Sequence, residues 1–278
     1  MKQRSIKIIS ILMVVIICLV TLVYLYLSKG EVLSSDKIGW IKEIPIAHRG
    51  LFDNIHPENS LSAFKNAVKN NYAIELDVQF TKDKKVVVFH DDNLERLTKD
   101  KRNINEVTYE ELSKLKILDS NEKIPLLQEV LDLVDTRVPI VIEIKDCKDI
   151  IDLGETTYNI TKHYKGDYSI QSFNPFVLEW YKNNAKEVIR GQLSGTFKED
   201  AENLNWYEKF ALENLMLNFK SKPNYIAYEL RGLPHFRITY LRKNGLPILS
   251  WTINSQDQLK RAYKYSDNII FDRFMPSK

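Results

Sequence analysis

Short runs of β-branched and aromatic residues alternate with helical stretches from residue 44 onward, and this alternation restricts the fold more than any other feature of the sequence. Each run has the length of one strand, and the stretches between most of them show the spacing of amphipathic helices. Strands that alternate with helices build parallel sheets covered by helices. The predicted strands are 44–47, 73–80, 86–90, 139–145, 168–173, 188–193, 225–230, 247–253 and 268–271.

One interval between predicted strands is too short for a helix. Phe80 and Val86 are separated only by Thr81–Lys85, so the strand that begins at Val86 must return antiparallel as a hairpin. Without this strand, eight strands remain in β/α alternation, which is the number in a closed (β/α)8 TIM barrel. We therefore predict one α/β barrel over residues 44–278, with a small hairpin and a charged helical insertion at 91–123.

The sequence defines the bounds of two predicted helices. Four apolar side chains of the stretch 60–71 fall on one helical face: Leu61, Phe64, Ala67 and Val68. Either Ser60 or Asn59 can cap this helix, because both residue types accept hydrogen bonds from the first free N–H groups. Within the insertion, residues 108–115 form the second predicted helix.

The segment Ile8–Leu27 contains twenty consecutive positions without a charge. As a helix it would reach about 30 Å, the thickness of the hydrocarbon core of a bilayer. A cleaved secretory signal is the alternative, but such signals have an apolar region of about 7 to 15 residues that ends in small residues. This run ends in Tyr24-Leu-Tyr-Leu-Ser28 instead. We therefore predict one uncleaved transmembrane helix.

The charge distribution predicts how that helix is oriented. Lys2, Arg4 and Lys7 precede the apolar run, and they account for the net charge of +3. The positive-inside rule places residues 1–7 in the cytoplasm, so the polar linker 28–43 and the barrel lie outside the cell membrane. The remaining charges balance, so nothing in the charge indicates a protein that binds nucleic acid by electrostatics. Two cysteines exclude a disulfide scaffold, and no obligatory protein partner is inferred.

Three acidic residues occupy strands that are apolar enough to line the barrel. Glu75 and Asp77 are two positions apart and share one face of their strand, and Glu143 lies in the next parallel strand. A buried carboxylate must be paired or bound to metal, because an isolated buried charge is costly. Oxygen ligands suit one hard divalent cation, Ca²⁺ or Mg²⁺. The sequence therefore predicts a metal site formed by these three residues.

Basic residues stand at the ends of several predicted strands, where TIM barrels carry their catalytic groups. His48 ends the first strand and His90 ends the hairpin, and two such imidazoles can act as general base and general acid near neutral pH. Arg49 and Lys145 supply positive charge for an anion. A metal, two imidazoles and two cations together describe a site that cleaves phosphodiesters.

At this level of detail the sequence resembles the glycerophosphodiester phosphodiesterase family. Five motifs carry the resemblance in order: His48-Arg49-Gly50, Pro57-Glu58-Asn59-Ser60, Glu75-Leu-Asp77, His90-Asp91 and Glu143-Ile-Lys145. Later strand-end motifs of the family are matched by Ser172-Phe173-Asn174-Pro175, Trp251-Thr252 and Ile269-Ile-Phe-Asp272. The resemblance covers nearly all of residues 44–274. Two positions depart from it: Ser60 stands where many members have Thr, and Phe271 stands where Thr is common.

The resemblance implies a phospholipase C-like barrel that hydrolyses glycerophosphodiesters to glycerol 3-phosphate and an alcohol. In the implied mechanism, His48 accepts the proton of the glycerol 2-hydroxyl, which attacks phosphorus, and His90 protonates the departing alcohol. Water then opens the cyclic phosphate. Glu75, Asp77 and Glu143 are implied to be the metal ligands.

Four further roles follow from the same resemblance. Arg49 and Lys145 are implied to hold the phosphate, and Phe173 to pack against the substrate. Trp251 is expected to contact the glycerol or a lipid moiety, with packing in the barrel core as the alternative. Glu58 is implied to orient Arg49 or the neighbouring histidine from behind.

Other interpretations remain open at this point. A phospholipase D- or C-like hydrolase acting on intact or lysophospholipids, or on glycerol phosphate polymers at the outer membrane surface, uses the same groups. A non-catalytic binder of phosphate-rich polymers would need a broken site, whereas all the metal and histidine positions are present. The aromatic-rich stretch 206–222 is expected to pack against the barrel, with contact to the bilayer as the alternative.

Overall fold

Eight parallel strands form a closed barrel in the computed structural model, which describes residues 2–198 and 204–276 of the chain. The described strands are β1 Ile46–Ala47, β2 Ala73–Phe80, β3 Val86–Val88, β4 Ile140–Ile144, β5 Tyr168–Ser172, β6 Ile189–Ser194, β7 Tyr225–Glu229, β8 Ile248–Ile253 and β9 Asn268–Phe271. Around the barrel the order is β1, β2, β4, β5, β6, β7, β8, β9, and β9 pairs with β1 to close it. The predicted TIM barrel is confirmed.

The hairpin that the sequence predicted is also present. Strand β3 runs antiparallel to β2, with Val78 opposite Val88. The helices of the described residues are α1 Lys2–Leu27, α2 Ser35–Glu43, α3 Leu61–Lys69, α4 Glu95–Thr98, α5 Tyr109–Leu112, α6 Leu127–Val134, α7 Ile150–Thr161, α8 Pro175–Asn184, α9 Trp206–Glu213, α10 Asn218–Ser221, α11 Phe236–Lys243 and α12 Gln256–Tyr265. Of the two caps predicted for α3, Ser60 is the one used, and its Oγ accepts from the N–H of Ala63 at 3.2 Å.

Side chains along β2 and β4 point alternately outward and inward, and the acidic residues occupy inward positions. Ile74, Leu76 and Val78 belong to the apolar cluster between the strands and the outer helices, and so do the even-numbered isoleucines of β4. Because successive side chains of a strand point to opposite faces, the odd-numbered positions of both strands face the barrel interior. The polar residues Glu75 and Asp77 therefore point inward, as the sequence predicted.

The insertion after β3 has a small apolar core of its own. Val87 and Phe89 of the hairpin pack there with Leu94, Leu97 and apolar residues up to position 124. The helix predicted over 108–115 is shorter in the structure and ends at Leu112, as α5. Its N-terminus is a capping box in which the Thr108 N–H donates to Glu111 at 3.0 Å.

Helix α1 contains the apolar segment that the sequence singled out. Residues Ile6–Leu27 are long enough and apolar enough to cross a membrane, and none of the segment's most apolar window is buried against the rest of the chain. By these criteria α1 is a candidate membrane span, and a signal sequence near an N-terminus has the same properties. The predicted transmembrane helix is thus present as a helix of suitable length.

The polar linker predicted at 28–43 differs from the structure. Its second half is α2, whose Ile38 and Ile41 are buried against the base of the barrel, the end at which the strands begin. The side-chain amide of Asn268 donates to the Ile41 carbonyl at 2.9 Å and so fixes α2 against β9. These two isoleucines are three positions apart and therefore share a helical face, but the many polar residues around them concealed this pattern.

The first half of that linker is attached to the base as well. The Asn218 side chain donates to the Ser28 carbonyl at 2.9 Å, and the Glu31 N–H donates to the Pro223 carbonyl at 2.9 Å. The Arg190 guanidinium, which is buried, pairs with Glu31 at 2.7 Å. The segment between α1 and the barrel is consequently part of the folded domain.

Candidate active site

Three carboxylates converge at the mouth of the barrel, the end at which the strands stop. Asp77 and Glu143 are directly opposite each other in the pairing of β2 with β4, and Glu75 precedes Asp77 on the same face. One carboxylate oxygen from each of the three lies within 4.8 Å of the others, and all three residues are buried. Neighbouring parallel strands therefore bring together the acidic residues that the sequence predicted as a group.

The close approach of these carboxylates changes how readily each one ionises. Burial, and then the charges of Asp77 and Glu143, raise the pKa of Glu75 well above its usual range. Burial also acts to raise the pKa of Asp77, but the charge of Lys145 and those of nearby groups outweigh it and lower that pKa. Asp77 is ionised, whereas the neighbouring Glu75 resists ionisation. The side chains around the triad therefore supply too little positive charge to ionise all three carboxylates.

The buried polar atoms of this cluster fit a bound cation. Oδ1 of Asp77 has no hydrogen-bond partner among the described residues, and its nearest cation is Nζ of Lys145 at 3.7 Å. A buried carboxylate oxygen without a partner is uncommon because its desolvation is not repaid. A set of carboxylate oxygens is also what a hard divalent ion requires. The triad can therefore hold one divalent cation.

The turn after β1 points the backbone N–H of Arg49 at the triad. Arg49 adopts a left-handed backbone conformation with φ of 55°, and its N–H donates to Oε2 of Glu75 at 3.0 Å. Gly50 follows with φ of 80°, and a Cβ there would lie 3.0 Å from the backbone and side chain of Ala63. The turn therefore requires a glycine at position 50, independently of the chemistry of the His48 and Arg49 side chains.

Two cations lie on either side of the acidic triad. Nε of Arg49 is 3.6 Å from Oδ2 of Asp77, and Nζ of Lys145 is 3.0 Å from Oε1 of Glu143. Burial acts to lower the pKa of Lys145, but the charges of Glu143 and Asp77 outweigh it and raise the pKa above its ordinary value. Both side chains are therefore fixed positive charges that face the same cavity.

Each of the two histidines has a carboxylate behind it. Nδ1 of His90 is 2.8 Å from Oδ1 of Asp91, and Nδ1 of His48 is 3.4 Å from Oδ2 of Asp272. Burial acts to raise the pKa of Asp91, but hydrogen bonds from His90 and Arg96 outweigh it and lower that pKa. An ionised carboxylate only accepts hydrogen bonds, so Nδ1 of His90 carries the hydrogen and Nε2 is left for other partners.

An arginine from the insertion connects the two halves of the site. The Arg96 guanidinium donates to both oxygens of Glu58, at 2.7 and 2.9 Å, and to both oxygens of Asp91, at 2.6 and 3.1 Å. Glu58 in turn accepts from Nη1 of Arg49 at 2.7 Å. Arg96 thereby holds the carboxylate behind His90 and the one beside Arg49. The sequence contained no motif that pointed to it.

Removing the Arg96 guanidinium is expected to lower kcat about tenfold, since residues that hold catalytic groups in place typically contribute 10- to 100-fold. In Arg96→Met, Asp91 and Glu58 lose a shared partner, so His90 and Arg49 are no longer held in position. Arg102→Met is the matched control, because Arg102 is similarly exposed on the same insertion and pairs with Asp100 and Glu111 instead. Steady-state kinetics on both variants measures the loss of catalysis, and thermal melting measures any loss of stability. Equal losses of kcat in both would contradict the assigned role of Arg96.

A single cavity of about 550 Å³ opens at the mouth of the barrel and brings the predicted residues together. Eight of the ten line it: His48, Arg49, Glu75, His90, Glu143, Lys145, Phe173 and Trp251. Asp77 lies in contact with Arg49 and Lys145, and Glu58 is in contact with Arg49. No predicted site residue is therefore distant from the others in the described structure.

Aromatic side chains form one wall of this cavity. The rings of Phe173 and Trp251 meet edge to face at 5.6 Å, and Phe197 packs against Phe173 at 6.0 Å. The indole N–H of Trp251 donates to the Ala227 carbonyl at 3.0 Å, which fixes the ring. Such a wall gives the cavity an apolar surface beside the charged groups of Arg49 and Lys145.

Two residues near the triad were not predicted as part of the site. The Asn59 side chain donates to Oδ2 of Asp77 at 2.9 Å, although the sequence suggested it only as a helix cap. The Gln171 side chain donates to Oε1 of Glu75 at 3.4 Å. Asn59 belongs to one of the motifs that carried the family resemblance, so the sequence held a signal that it is near the site. Gln171 lies within β5 and belongs to no such motif.

A larger cavity of about 690 Å³ lies away from the site, between the loop after β1, α3 and the C-terminal segment. Its charged residues are Asp53 and Arg273. None of the ten predicted residues lines it, and the described residues around it include no group of carboxylates within reach of a histidine pair. The smaller cavity is therefore the candidate active site.

Comparison with known proteins agrees with a barrel hydrolase of this kind. The sequence model of the glycerophosphoryl diester phosphodiesterase family matches residues 48–274. The glycerophosphodiester phosphodiesterase of Caldanaerobacter subterraneus subsp. tengcongensis is 31% identical over 244 residues, which are 84% of this chain and 95% of the relative.

Solved structures show the same fold. The glycerophosphodiester phosphodiesterase of Thermotoga maritima is 27% identical, with a TM-score of 0.65 over 82% of this chain and 94% of that one. The Oleispira antarctica phosphodiesterase, solved with its product sn-glycerol 3-phosphate, is 22% identical and has a TM-score of 0.69 over 82% and 91% of the two chains.

Fold and site together define a phosphoric diester hydrolase built on a TIM barrel. The chain belongs to the glycerophosphoryl diester phosphodiesterase family. The resemblance that the sequence motifs indicated is therefore confirmed, and so is the predicted enzyme class.

Proposed function

We propose that this protein is a membrane-anchored, metal-dependent enzyme that hydrolyses glycerophosphodiesters to glycerol 3-phosphate and an alcohol at the outer surface of the cell membrane. The observation that supports the proposal most strongly is the convergence of an acidic triad, two carboxylate-backed histidines and two cations on one cavity. Family membership supports the class of substrate.

The proton transfers are assigned to the two histidines. His48 removes the proton of the glycerol 2-hydroxyl, and that oxygen attacks phosphorus. His90 gives a proton to the departing alcohol, and Asp91 stabilises the charged imidazole during this step. Water then opens the cyclic phosphate. Each histidine has the side-chain partner that keeps Nε2 available for this exchange.

The substrate phosphate is assigned to the two cations. Arg49 and Lys145 both face the cavity and are both held by carboxylates of the triad or by Glu58. Guanidinium and ammonium groups that are fixed before the reaction stabilise developing negative charge without reorganisation. Phe173 and Trp251 are assigned to contact with the glycerol or the alcohol, because they form the apolar wall beside these cations.

Glu75, Asp77 and Glu143 are the residues that would hold the metal, and Ca²⁺ or Mg²⁺ is the ion that their oxygens suit. When bound, such an ion supplies Lewis acidity and positive charge for the phosphoryl oxygens. The partnerless Oδ1 of Asp77 and the raised pKa of Glu75 support this assignment from the protein side. Glu58 is assigned to orient Arg49.

The membrane arrangement is proposed from the sequence and from α1. Basic residues 1–7 remain in the cytoplasm, α1 crosses the membrane within 8–27, and the barrel domain 44–278 lies outside. The segment 28–43 is proposed as the connection between the two, and in the structure it is folded against the barrel base.

The decisive experiment is a product assay on the full-length chain reconstituted in vesicles. Glycerophosphocholine, glycerophosphoglycerol and a lysophospholipid are supplied separately, with and without added Ca²⁺ or Mg²⁺, and the released glycerol 3-phosphate and free alcohol are measured. We expect divalent-ion-dependent release of glycerol 3-phosphate from the two glycerophosphodiesters. Faster release of choline from the lysophospholipid than from glycerophosphocholine would contradict the proposed substrate class in favour of a lipid hydrolase.

A further inference from the structure

Four large aromatic side chains are exposed on one side of the domain. Trp206, Tyr207 and Phe210 of α9 are 79%, 56% and 51% exposed, and Phe236 at the start of α11 is 71% exposed. We call these four residues the aromatic face. None of the residues 206–213 is buried, so α9 does not cover the barrel as an ordinary outer helix does. Exposed aromatic groups of this size usually mark a surface that contacts another phase or partner.

The aromatic face lies next to the point at which α1 meets the domain. Tyr24 donates from its hydroxyl to Oδ1 of Asn214 at 2.7 Å, and Asn214 is the residue that ends α9. The Arg237 guanidinium lies over the ring of Tyr24, and Arg237 follows Phe236 in the chain. The carboxyl end of α9 and the amino end of α11 therefore both contact the same turn of α1.

The direction of α1 follows from two of its contacts. Ser28 is held by Asn218. Three residues later, the Glu31 carbonyl accepts from Asn224, which bonds to Arg190 near the start of β6 at the barrel base. Tyr24, one turn earlier, contacts Asn214, which lies two residues after Leu212, whose carbonyl accepts from Ser194 at the mouth end of β6. Traced backward from residue 28, α1 therefore runs from the base toward the mouth. Its remaining apolar residues extend past the mouth side of the domain, which is where α9 begins with Trp206.

We propose that the aromatic face lies in the interfacial layer of the same membrane that α1 spans, with the barrel mouth opening toward the bilayer surface. Tryptophan and tyrosine are enriched at this depth because their rings combine an apolar body with a polar group. The face also adjoins the active-site cavity, because Leu204, two residues before Trp206, lines that cavity. Substrate would then enter from the lipid surface.

The inference is independent of the reaction assigned above, but it rests on α1 being the membrane anchor. The occupant is a lipid surface rather than an anionic polymer, since the face consists of aromatic groups. Binding through these rings depends on buried apolar area, so zwitterionic lipid suffices and the contact is insensitive to salt.

Tryptophan fluorescence of the full-length chain in phosphatidylcholine vesicles tests the proposal. Acyl chains brominated near the headgroup quench tryptophans that enter the interface, and the difference between wild type and Trp206→Phe isolates the emission of Trp206. We expect this emission to be shifted to shorter wavelength and to lose most of its intensity in brominated vesicles. High salt should not restore it.

A matched reporter on the far side of the domain serves as the control. Lys65 is exposed on α3, which connects β1 to β2 and is therefore opposite α9, which connects β6 to β7 around the barrel. Lys65→Trp is introduced in the background of Trp206→Phe. The emission that this substitution adds should be that of a tryptophan in water and should not be quenched.

Three outcomes would overturn the proposal. If Trp206 is not quenched although alkaline carbonate leaves the protein in the vesicles, the anchor stands and the interfacial contact is wrong. If carbonate releases the protein, the anchor is wrong and the proposal fails with it. A wavelength shift that depends on protein density without quenching by bromine would show that a second copy of the chain covers the face. None of these measurements uses turnover, so the proposed reaction is tested separately.

Discussion

Replacing His90 or His48 by alanine is expected to lower kcat on glycerophosphocholine by about 10²- to 10⁴-fold, the usual contribution of a positioned general acid or base. His90→Ala removes the proton donor for the departing alcohol, and His48→Ala removes the acceptor for the attacking hydroxyl. Both residues face the cavity from the mouth of the barrel. Neither takes part in the apolar clusters of the described chain, so folding should be retained.

His56→Ala is the matched control for these two variants. His56 also has a carboxylate partner, Asp53, at 2.9 Å, but this pair lies on an exposed loop and does not line the active-site cavity. Its kcat should equal that of the wild type. Thermal melting and circular dichroism on all three variants establish that the chains are folded. A near-normal rate for His48→Ala or His90→Ala would remove that residue from proton transfer.

Removal of divalent ions by EDTA is expected to abolish turnover, with a loss on the order of 10³-fold or more, because a Lewis acid contributes several kcal/mol to such reactions. Added Ca²⁺ or Mg²⁺ should restore the rate after EDTA is dialysed away. The physical reason is the acidic triad, which cannot be neutralised by Arg49 and Lys145 alone. Full activity in a metal-free preparation would contradict this assignment.

Binding of the ion can be measured without turnover. Calorimetric titration of the EDTA-treated chain with Ca²⁺ or Mg²⁺ should show one site, and Asp77→Asn should weaken it, because Asp77 offers the buried oxygen that has no hydrogen-bond partner in the described chain. Asp132→Asn is the control, since Asp132 is exposed on α6 and bonds only to Gln128 among the described side chains. Equal affinities for the two variants would show that Asp77 is not a ligand.

The parts of the fold that depend on periodicity could be predicted from the sequence. The period of two along β2 placed Glu75 and Asp77 on the interior face, and the structure shows that face buried and shared with Glu143. The short interval before Val86 required the hairpin, and β3 is antiparallel. These predictions succeed because strand geometry leaves few alternatives.

Features that depend on contacts between distant segments could not be predicted in this way. Arg96 contacts Glu58 and Asp91 from an irregular insertion, and neither spacing nor composition indicates where such a side chain points. The linker 28–43 was interpreted from its overall polarity, yet Ile38 and Ile41 are buried in an apolar cluster that includes residues of strands as late in the chain as β9. The packing of 206–222 was expected to be ordinary, but α9 exposes its aromatic side chains.

The attachment of the N-terminal segment to the barrel base has a consequence for how the chain is assembled. Ser28 and Asn218 are 190 positions apart, and Ile41 and Asn268 are 227 apart. Contacts of such separation form late, because the intervening loop must be closed first. A chain held at the membrane by its first helix would therefore keep Ile38 and Ile41 uncovered through most of its synthesis. Barrel closure and docking onto the anchor then become a single final event.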